Sequence, residues 1–368
     1  MSSALFTPLA IGGMELTNRI TVAPMCEYSA IDGSMTDWHM QHLGNLSLSG
    51  AAMLVVEATG VVPEARITHG CTGLYSDENE AAMTRVIDFV RTISPIRIGL
   101  QLNHAGRKAS AQRPWEGRGA LGKDEGAWAT VAPSAIALAD GWPTPVALDR
   151  AGLTAVKEAF VRAARRAERV GMDFLELHST HGYLLSQFLS PLSNRREDEY
   201  GGSLANRMRF PLEVFSALRE AWPARKAIGA KISGTDFAPG GWMAEDAVVY
   251  ARELKARGCD YVTVSGGGVV LDAKVPIAPG YQVPYAEQVR RETGIKTGSV
   301  GLISSPHHAE EIVASGKADF ISLARGMLFD PRWPWHAALA LGADIKYPPQ
   351  YGRCNPKLWP GAKDWMKA

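Results

Sequence analysis

Two histidines and a tyrosine lie close together in one short stretch of this chain of 368 residues. His178, His181 and Tyr183 directly follow an apolar run of strand length. Two imidazole donors can stabilise negative charge that develops on an oxygen atom, and a phenol can deliver a proton. Histidines at this spacing also suit zinc, but zinc takes three or four ligands, and neither this pair nor the pair His39 and His42 has an aspartate or cysteine at a useful spacing. The stretch therefore indicates acid–base chemistry, with a metal-dependent barrel hydrolase as the alternative.

Gly301 and Arg325 form a second candidate site, and their types suit a phosphate group. A glycine lets the backbone approach an anion closely, and an arginine supplies charge and a fork of hydrogen-bond donors. Both follow late apolar runs of the chain, where barrels often bind phosphate. No glycine-rich dinucleotide fingerprint and no Walker loop follows a strand, so the sequence argues against a Rossmann or P-loop domain.

Eight apolar runs of strand length alternate with helical patterns, and these elements must position the two sites. Continuous apolar strands are typical of a parallel sheet that is buried on both faces. The runs are residues 20–25, 53–58, 98–102, 174–177, 228–232, 261–264, 295–300 and 320–323. Helices are predicted over residues 149–170, 204–221, 243–257 and 284–293, with further helix starts at 304–306 and 330–331. Eight such units predict an α/β fold, a (β/α)8 TIM barrel, with a doubly wound sheet as the alternative.

Two connecting segments have predicted positions. Residues 104–148 are rich in Gly, Pro and Trp and follow the third strand, so we expect a wall or lid on the face where barrel active sites lie. Residues 5–16 carry a Gly-Gly turn between apolar stretches, which predicts an N-terminal β-hairpin that plugs the opposite end. No domain boundary stands out, so residues 1–368 are predicted to form a single domain.

Composition excludes several classes of partner. The formal net charge is +1 and no basic stripe is present, which argues against nucleic acid and against an anionic membrane surface. The longest apolar runs are far shorter than a membrane span, and the N-terminus lacks the features of a signal peptide. The four cysteines are scattered, which suits free thiols in a reducing cytoplasm.

Four motifs resemble the Old Yellow Enzyme family, and the match runs in order from about residue 6 to the end of the chain. The motifs are Pro24-Met25-Cys26 with Tyr28, QLNHAGRK at residues 101–108, HSTHGYL at 178–184 and SNRREDEYGGSLANR at 193–207. Cys26 and the ending PQYGR at 349–353 are similar to the thermophilic-like bacterial branch, which includes the xenobiotic reductases.

The resemblance implies an enzyme that carries FMN and passes hydride from NADPH or NADH to activated C=C bonds. Enones and maleimides are the implied substrates, with nitro compounds as a further class, and no metal is implied. The implied cofactor-binding residues are Pro24, Met25, Cys26, Ala58, Gln101, Lys231, Gly301, Ala324 and Arg325. Tyr183 is the implied proton donor, and the implied substrate-binding residues are Tyr28, Cys26, His178, His181, Arg353 and Trp359.

The resemblance also implies a homodimer or homotetramer, in which the C-terminal tail, residues 345–368, lies near the subunit interface. Three positions depart from the family pattern. Lys231 stands where many members have arginine, Val300 where a tryptophan is found in a xenobiotic reductase, and Ala324 where glycine is common. A flavin barrel with another reaction, such as demethylation, remains an alternative, and a barrel that only binds ligands is a further one.

Overall fold

Eight parallel strands close into a barrel in the computed structural model, which describes residues 3–362. The strands in chain order are β1 (Leu9–Ile11), β2 (Met14–Leu16), β3 (Ile20–Val22), β4 (Met53–Gly60), β5 (Arg97–Asn103), β6 (Val131–Ala132), β7 (Val146–Ala147), β8 (Phe174–Ser179), β9 (Ala227–Ser233), β10 (Tyr261–Ser265), β11 (Lys296–Ser299) and β12 (Phe320–Leu323). Around the barrel the order is β3, β4, β5, β8, β9, β10, β11 and β12, and β12 pairs with β3 to close it. The predicted TIM barrel is confirmed, and closure excludes the doubly wound sheet.

Helices cover the outside of the barrel. They are α1 (Asp37–Ser47), α2 (Asp77–Ile93), α3 (Arg150–Arg169), α4 (Leu184–Leu189), α5 (Leu204–Ala221), α6 (Ala244–Ala256), α7 (Val283–Thr293), α8 (Pro306–Ala314), α9 (Arg325–Phe329) and α10 (Trp333–Ala340). Side-chain caps begin several of them; the Asp149 carboxylate, for example, accepts from the Gly152 N–H at 2.7 Å. Within residues 3–362, none of these helices is long and apolar enough to cross a membrane.

Most predicted boundaries lie within two residues of those in the structure. Strand β3 ends at Val22 rather than at residue 25. The helix predicted to begin at Asp330 and Pro331 begins at Trp333, with Arg332 as its N-cap. Asp330 still shapes this start, since its carboxylate accepts from the Arg332 N–H at 3.0 Å.

Aromatic rings fill the lower part of the barrel, and each lies against a glycine on the neighbouring strand. A Cβ atom built on these glycines would lie 2.2 or 2.3 Å from the facing ring, so any larger residue would displace it. The register pairs are Gly99 with Phe174, Gly229 with Tyr261, and Gly298 with Phe320. This layer therefore fixes the positions of the strand ends above it along the barrel axis.

The hairpin of β1 and β2 closes the amino-terminal end of the barrel, as predicted. Its apolar side chains Leu9, Ile11, Met14 and Leu16 are buried in one cluster with Phe174 and the other rings of that layer. Burial of the apolar face of the hairpin holds it in place as a plug. The open end of the barrel is consequently the carboxyl end of the strands.

The long connection after β5 covers that open end. It contains only short helical turns and the two-residue pair of β6 and β7. The buried Arg107 guanidinium donates to the carbonyl oxygens of Ile136 and Ala137 at 3.2 Å and of Val269 at 2.7 Å. One side chain thus ties this loop to the segment after β10.

Candidate active site at the carboxyl ends of the strands

The barrel register brings polar residues of four strands together, among them the predicted Gln101, His178 and Lys231. Gln101 pairs with Glu176, His178 pairs with Lys231, and Lys231 pairs with Thr263. All five side chains are at most 6 % exposed. Because side chains two residues apart share a face of a strand, these groups line one layer inside the barrel mouth.

His178, His181 and Tyr183 form one aromatic cluster, as their spacing predicts. The His178 ring centroid lies 5.2 Å from that of His181 and 4.8 Å from that of Tyr183, and both contacts are edge to face. His181 has a φ of 61°, a left-handed conformation that turns its ring toward Ser265, whose hydroxyl oxygen lies 2.8 Å from Nε2. His178 Nδ1 is buried and has no hydrogen-bond partner among the described residues. The cluster therefore offers an unsatisfied imidazole nitrogen to a ligand.

Burial decides the protonation of this cluster. Desolvation, reinforced by the charges of Lys231 and Lys108, lowers the pKa of His178 and of His181 well below the usual histidine range. Desolvation also raises the pKa of Tyr183 well above that of a free phenol. The site therefore presents two neutral imidazoles and a protonated phenol at neutral pH.

Lys108 is a further member of the site. The sequence analysis assigned it no role beyond its place in the motif at residues 101–108. Its ammonium donates to the carbonyl oxygens of His181 at 2.8 Å and Gly268 at 3.0 Å, and it lies 5.1 Å from the centroid of the Tyr183 ring. Burial, with the charge of Arg107 nearby, lowers the pKa of Lys108 to about 8. Nothing in the local sequence indicates that this side chain turns back over the histidine loop.

A small apolar cluster carries Cys26 and Tyr28 beside Ala58. Cys71, which the sequence analysis left unassigned, belongs to the same cluster. A hydrogen bond with Cys71, followed by burial, raises the pKa of the Cys26 thiol well above its ordinary value. Tyr28 packs edge to face on Trp115 of the long loop, with centroids 5.9 Å apart, so this loop contacts the same cluster.

The second histidine pair supports the segment that follows β3. His39 Nε2 lies 3.2 Å from a Glu57 oxygen, and His42 Nε2 lies 3.4 Å from a Glu27 oxygen. Glu57 also accepts from the Glu27 N–H at 3.3 Å. Within residues 3–362, no group of three or more His, Cys, Asp or Glu side chains could hold a metal ion.

The residues expected to hold FMN lie at two places at the carboxyl end of the barrel. The Gln101 amide nitrogen donates to Glu176 at 2.7 Å, while Lys231 makes no ion pair within the described part of the chain. Gly301 has a φ of 112°, and Arg325 is exposed at the start of α9. These two residues follow the adjacent strands β11 and β12 at the same end of the barrel. The buried Lys231 ammonium fits the ring of a flavin mononucleotide. Gly301 and Arg325 fit its phosphate.

The structure does not bring Arg353 and Trp359 to this cluster within one protomer. Both are exposed, and their segment packs on α10, where the Tyr351 and Trp335 ring centroids lie 6.1 Å apart. The last residues of the predicted tail, 363–368, lie outside the described residues, as do residues 1 and 2.

Comparisons with known proteins agree with this geometry. Residues 4–342 match the family described as the NADH:flavin oxidoreductase / NADH oxidase family. The NADPH dehydrogenase of Geobacillus thermodenitrificans is 42% identical over 355 residues, which are 96% of this chain and 99% of that protein. The structure of morphinone reductase superposes with a TM-score of 0.76 at 28% identity, covering 95% of this chain and 93% of that one. A complex of morphinone reductase with tetrahydroNAD gives a TM-score of 0.75 at 28% identity, covering 94% and 93%.

Proposed function

The chain belongs to the NADH:flavin oxidoreductase / NADH oxidase family and is an FMN-dependent oxidoreductase, and from that premise we propose that it is an NAD(P)H-dependent ene reductase acting on enones and maleimides, with nitro compounds as a second substrate class. The observation that carries the proposal is the edge-to-face cluster of His178, His181 and Tyr183, in which burial disfavours the charged form of each group. FMN, when bound, accepts hydride from NADPH or NADH and delivers it to the substrate.

The two imidazoles bind the substrate oxygen. As hydride reaches the β-carbon, negative charge develops on the carbonyl or nitro oxygen, and N–H donors aimed there stabilise it most in the transition state. His178 and His181 suit this role because each imidazole is neutral. Each can donate a hydrogen bond to the substrate oxygen without binding another anion. The charges of Lys108 and Lys231, which already act on both histidines, favour the same oxyanion.

Tyr183 supplies the proton to the α-carbon. Its hydroxyl remains protonated at neutral pH because burial disfavours the phenolate. The Lys108 ammonium, 5.1 Å from the ring, offsets part of that penalty when the proton leaves. The phenol is thus kept as an acid until a strongly basic carbon is present.

The other cofactor-site residues form two groups, one that contacts the flavin ring and one that holds its phosphate. In this proposal Lys231 and Gln101 face the polar edge of the flavin, while Pro24, Met25 and Ala58 cradle its ring. Gly301, Ala324 and Arg325 hold the phosphate. Cys26 and Tyr28 line the substrate pocket, and the raised pKa of Cys26 keeps it a thiol that tunes the site without forming a covalent bond.

The assembly and the compartment belong to the same proposal. A homodimer or homotetramer would allow the exposed Arg353 and Trp359 to reach a neighbouring site. The four free cysteines and the use of NAD(P)H suit a reducing cytoplasm.

The experiment is Tyr183→Phe, measured separately in each half-reaction by anaerobic stopped flow. Flavin reduction by NAD(P)H should be nearly unchanged, whereas reoxidation by an enone should slow by about 10²–10⁴-fold, the usual contribution of a general acid. Nitro acceptors, which depend less on protonation at carbon, should slow less.

Tyr250→Phe is the control, because Tyr250 is a buried tyrosine outside this cluster whose hydroxyl lies 3.0 Å from the Ser179 hydroxyl. It should affect stability but neither half-reaction. Equal slowing of both half-reactions in Tyr183→Phe would show that Tyr183 is structural, and the proposed chemistry would fail.

A further inference from the structure

A buried carboxylate that the proposed chemistry does not use lies at the centre of the barrel mouth. Glu176 is on β8, two residues before His178, and is 1 % exposed. One oxygen accepts from the Gln101 amide nitrogen at 2.7 Å, and the other accepts from the Thr263 hydroxyl at 3.0 Å. Tyr261, also inside the barrel, lies beside the same carboxylate. Glu176 on β8 therefore connects side chains of β5 and β10.

Among the groups that shift the pKa of Glu176, Lys231 is the one cation. Burial raises the pKa of Glu176, and the charge of Lys231 opposes that rise. Burial in turn lowers the pKa of Lys231, and Glu176 is the main group that opposes that fall. Burying either charge without the other would cost much free energy. Each charge therefore lowers the cost of burying the other.

The hydrogen bond to Gln101 decides which way its amide points. An ionised carboxylate can only accept, so the Gln101 nitrogen must face Glu176. The amide oxygen is left as the free group, and an oxygen is the acceptor that a ring N–H of a flavin requires. Without Glu176, nothing in this contact would distinguish the two orientations of the amide.

We propose that Glu176 is a positioning residue of the flavin site: as an ionised carboxylate it orients Gln101 and partly neutralises Lys231, and so sets the reduction potential of the cofactor. This inference rests on the proposed placement of Gln101 and Lys231 at the flavin. The direction of the effect follows from charge. A cation favours the negative charge that comes with flavin reduction, and a neighbouring anion weakens that preference.

The test measures the flavin potential of three holoenzyme variants by anaerobic equilibration with a reference dye. Glu176→Gln should favour the reduced state by about tenfold or more, which is about 30 mV for a two-electron couple. Lys231→Met should shift the potential by a similar amount in the opposite direction. The double variant should return to near the wild-type potential, a compensation that loss of packing would not produce.

Binding of FMN to the apoprotein, followed by quenching of flavin fluorescence, tests the orientation of Gln101. Glu176→Gln retains an acceptor for the Gln101 nitrogen and should bind FMN with nearly wild-type affinity. Glu176→Leu removes the acceptor and should weaken binding by about tenfold or more. Equal affinity in the two variants would contradict the orienting role.

Asp319→Asn is the control for the loss of a buried carboxylate charge. Asp319 is 4 % exposed and pairs with Arg290 and Lys296 at the other end of the barrel, with nitrogen–oxygen distances of 3.1 and 3.6 Å. This variant should lose stability but keep the potential, and a shift like that of Glu176→Gln would overturn the inference.

The outcomes separate this inference from the proposed function. An unchanged potential in Lys231→Met would reject the placement of Lys231 at the flavin, and with it the proposed site. A lowered potential in Lys231→Met with no rise in Glu176→Gln would overturn only the role of Glu176. If Glu176→Gln does not fold, Thr263→Val must shift the potential in the same positive direction, because it removes a hydrogen bond that stabilises the ionised carboxylate.

Discussion

Lys108 shows how one residue can change the electrostatics of the whole pocket. Its ammonium is held by two backbone carbonyls rather than by a carboxylate, so its charge is not neutralised there. Burial makes this charge costly, which is why its pKa falls to about 8. Tyr183 and His181, within reach of that charge, therefore experience a positive field that disappears in mildly alkaline solution.

We expect binding of an anionic ligand to depend on the protonation of Lys108. Benzoate stays ionised across the relevant range, so its affinity should be constant below pH 8 and fall above it, as Lys108 loses its proton. A charge at this distance should account for about a tenfold change in Kd. Titration of the flavin spectrum with benzoate at each pH gives the measurement.

Lys108→Met should bind benzoate weakly at all pH values, with no change near pH 8. Lys123→Met, on an exposed turn of the long loop, is the control and should keep the wild-type profile. A profile in Lys108→Met that still falls near pH 8 would assign the titration to another group.

At the scale of elements, the strands carry the site and the long loop encloses it. The strands are held by register and by the ring–glycine layer beneath them, whereas residues 104–148 have little regular structure of their own. Arg107 is one anchor of this loop, since it donates to carbonyls of residues 136, 137 and 269. Arg196 is another, since it donates to the carbonyls of Pro133 and Leu148.

Arg107→Met should loosen the loop while leaving the barrel intact. One buried and two partly buried carbonyls would lose their donor, and we expect a loss of about 2–4 kcal/mol in the free energy of unfolding. Hydrogen exchange should accelerate in residues 106–148 and near residue 269, with little change in the barrel strands.

Arg332→Met is a suitable comparison, because Arg332 is half-buried and donates to the Asn45 carbonyl at 3.0 Å on another side of the barrel. It should destabilise the protein without faster exchange in the loop. Uniform acceleration across the chain in Arg107→Met would mean that the loop and the barrel unfold as one unit.

At the scale of the whole molecule, the C-terminal segment presents an unusual surface. Tyr351, Leu358 and Trp359 are large apolar side chains with 41, 71 and 44 % of their surface exposed. A group of exposed apolar side chains is typical of an interaction surface. Arg353 lies in the same segment, which suits the proposal that this tail meets a second subunit.

Mixed dimers can test whether Arg353 acts across the interface. Arg353→Ala and Tyr183→Phe should each be poorly active as homodimers. If Arg353 completes the partner's site, a dimer of one subunit of each kind contains one intact site, so refolding an equal mixture should restore about a quarter of wild-type activity. Enone turnover before and after mixing gives the measurement.

Light scattering on the wild-type protein provides the control for assembly. Absence of any recovery in a confirmed mixed dimer would place Arg353 in its own subunit's site or outside both. A fully active monomer would reject the shared site altogether.

The amino-acid sequence by itself determined the barrel and most of its chemistry. Strands buried on both faces must be continuously apolar, so all eight were visible as short runs, and the Gly12-Gly13 turn marked the hairpin. The spacing of His178, His181 and Tyr183 placed them on one loop, and a local pattern is enough for that because the chain itself keeps these residues close.

Only the tertiary structure decided the contacts between distant parts of the chain. Cys71 lies beside Cys26, Lys108 turns back onto the carbonyl of His181, and Glu176 joins Gln101 to Thr263. None of these pairs is near in sequence, so each depends on strand register and on closure of the barrel. The same closure removes water from the site, and this desolvation shifts the pKa values of the imidazoles, the phenol and the lysines. A sequence pattern does not show desolvation.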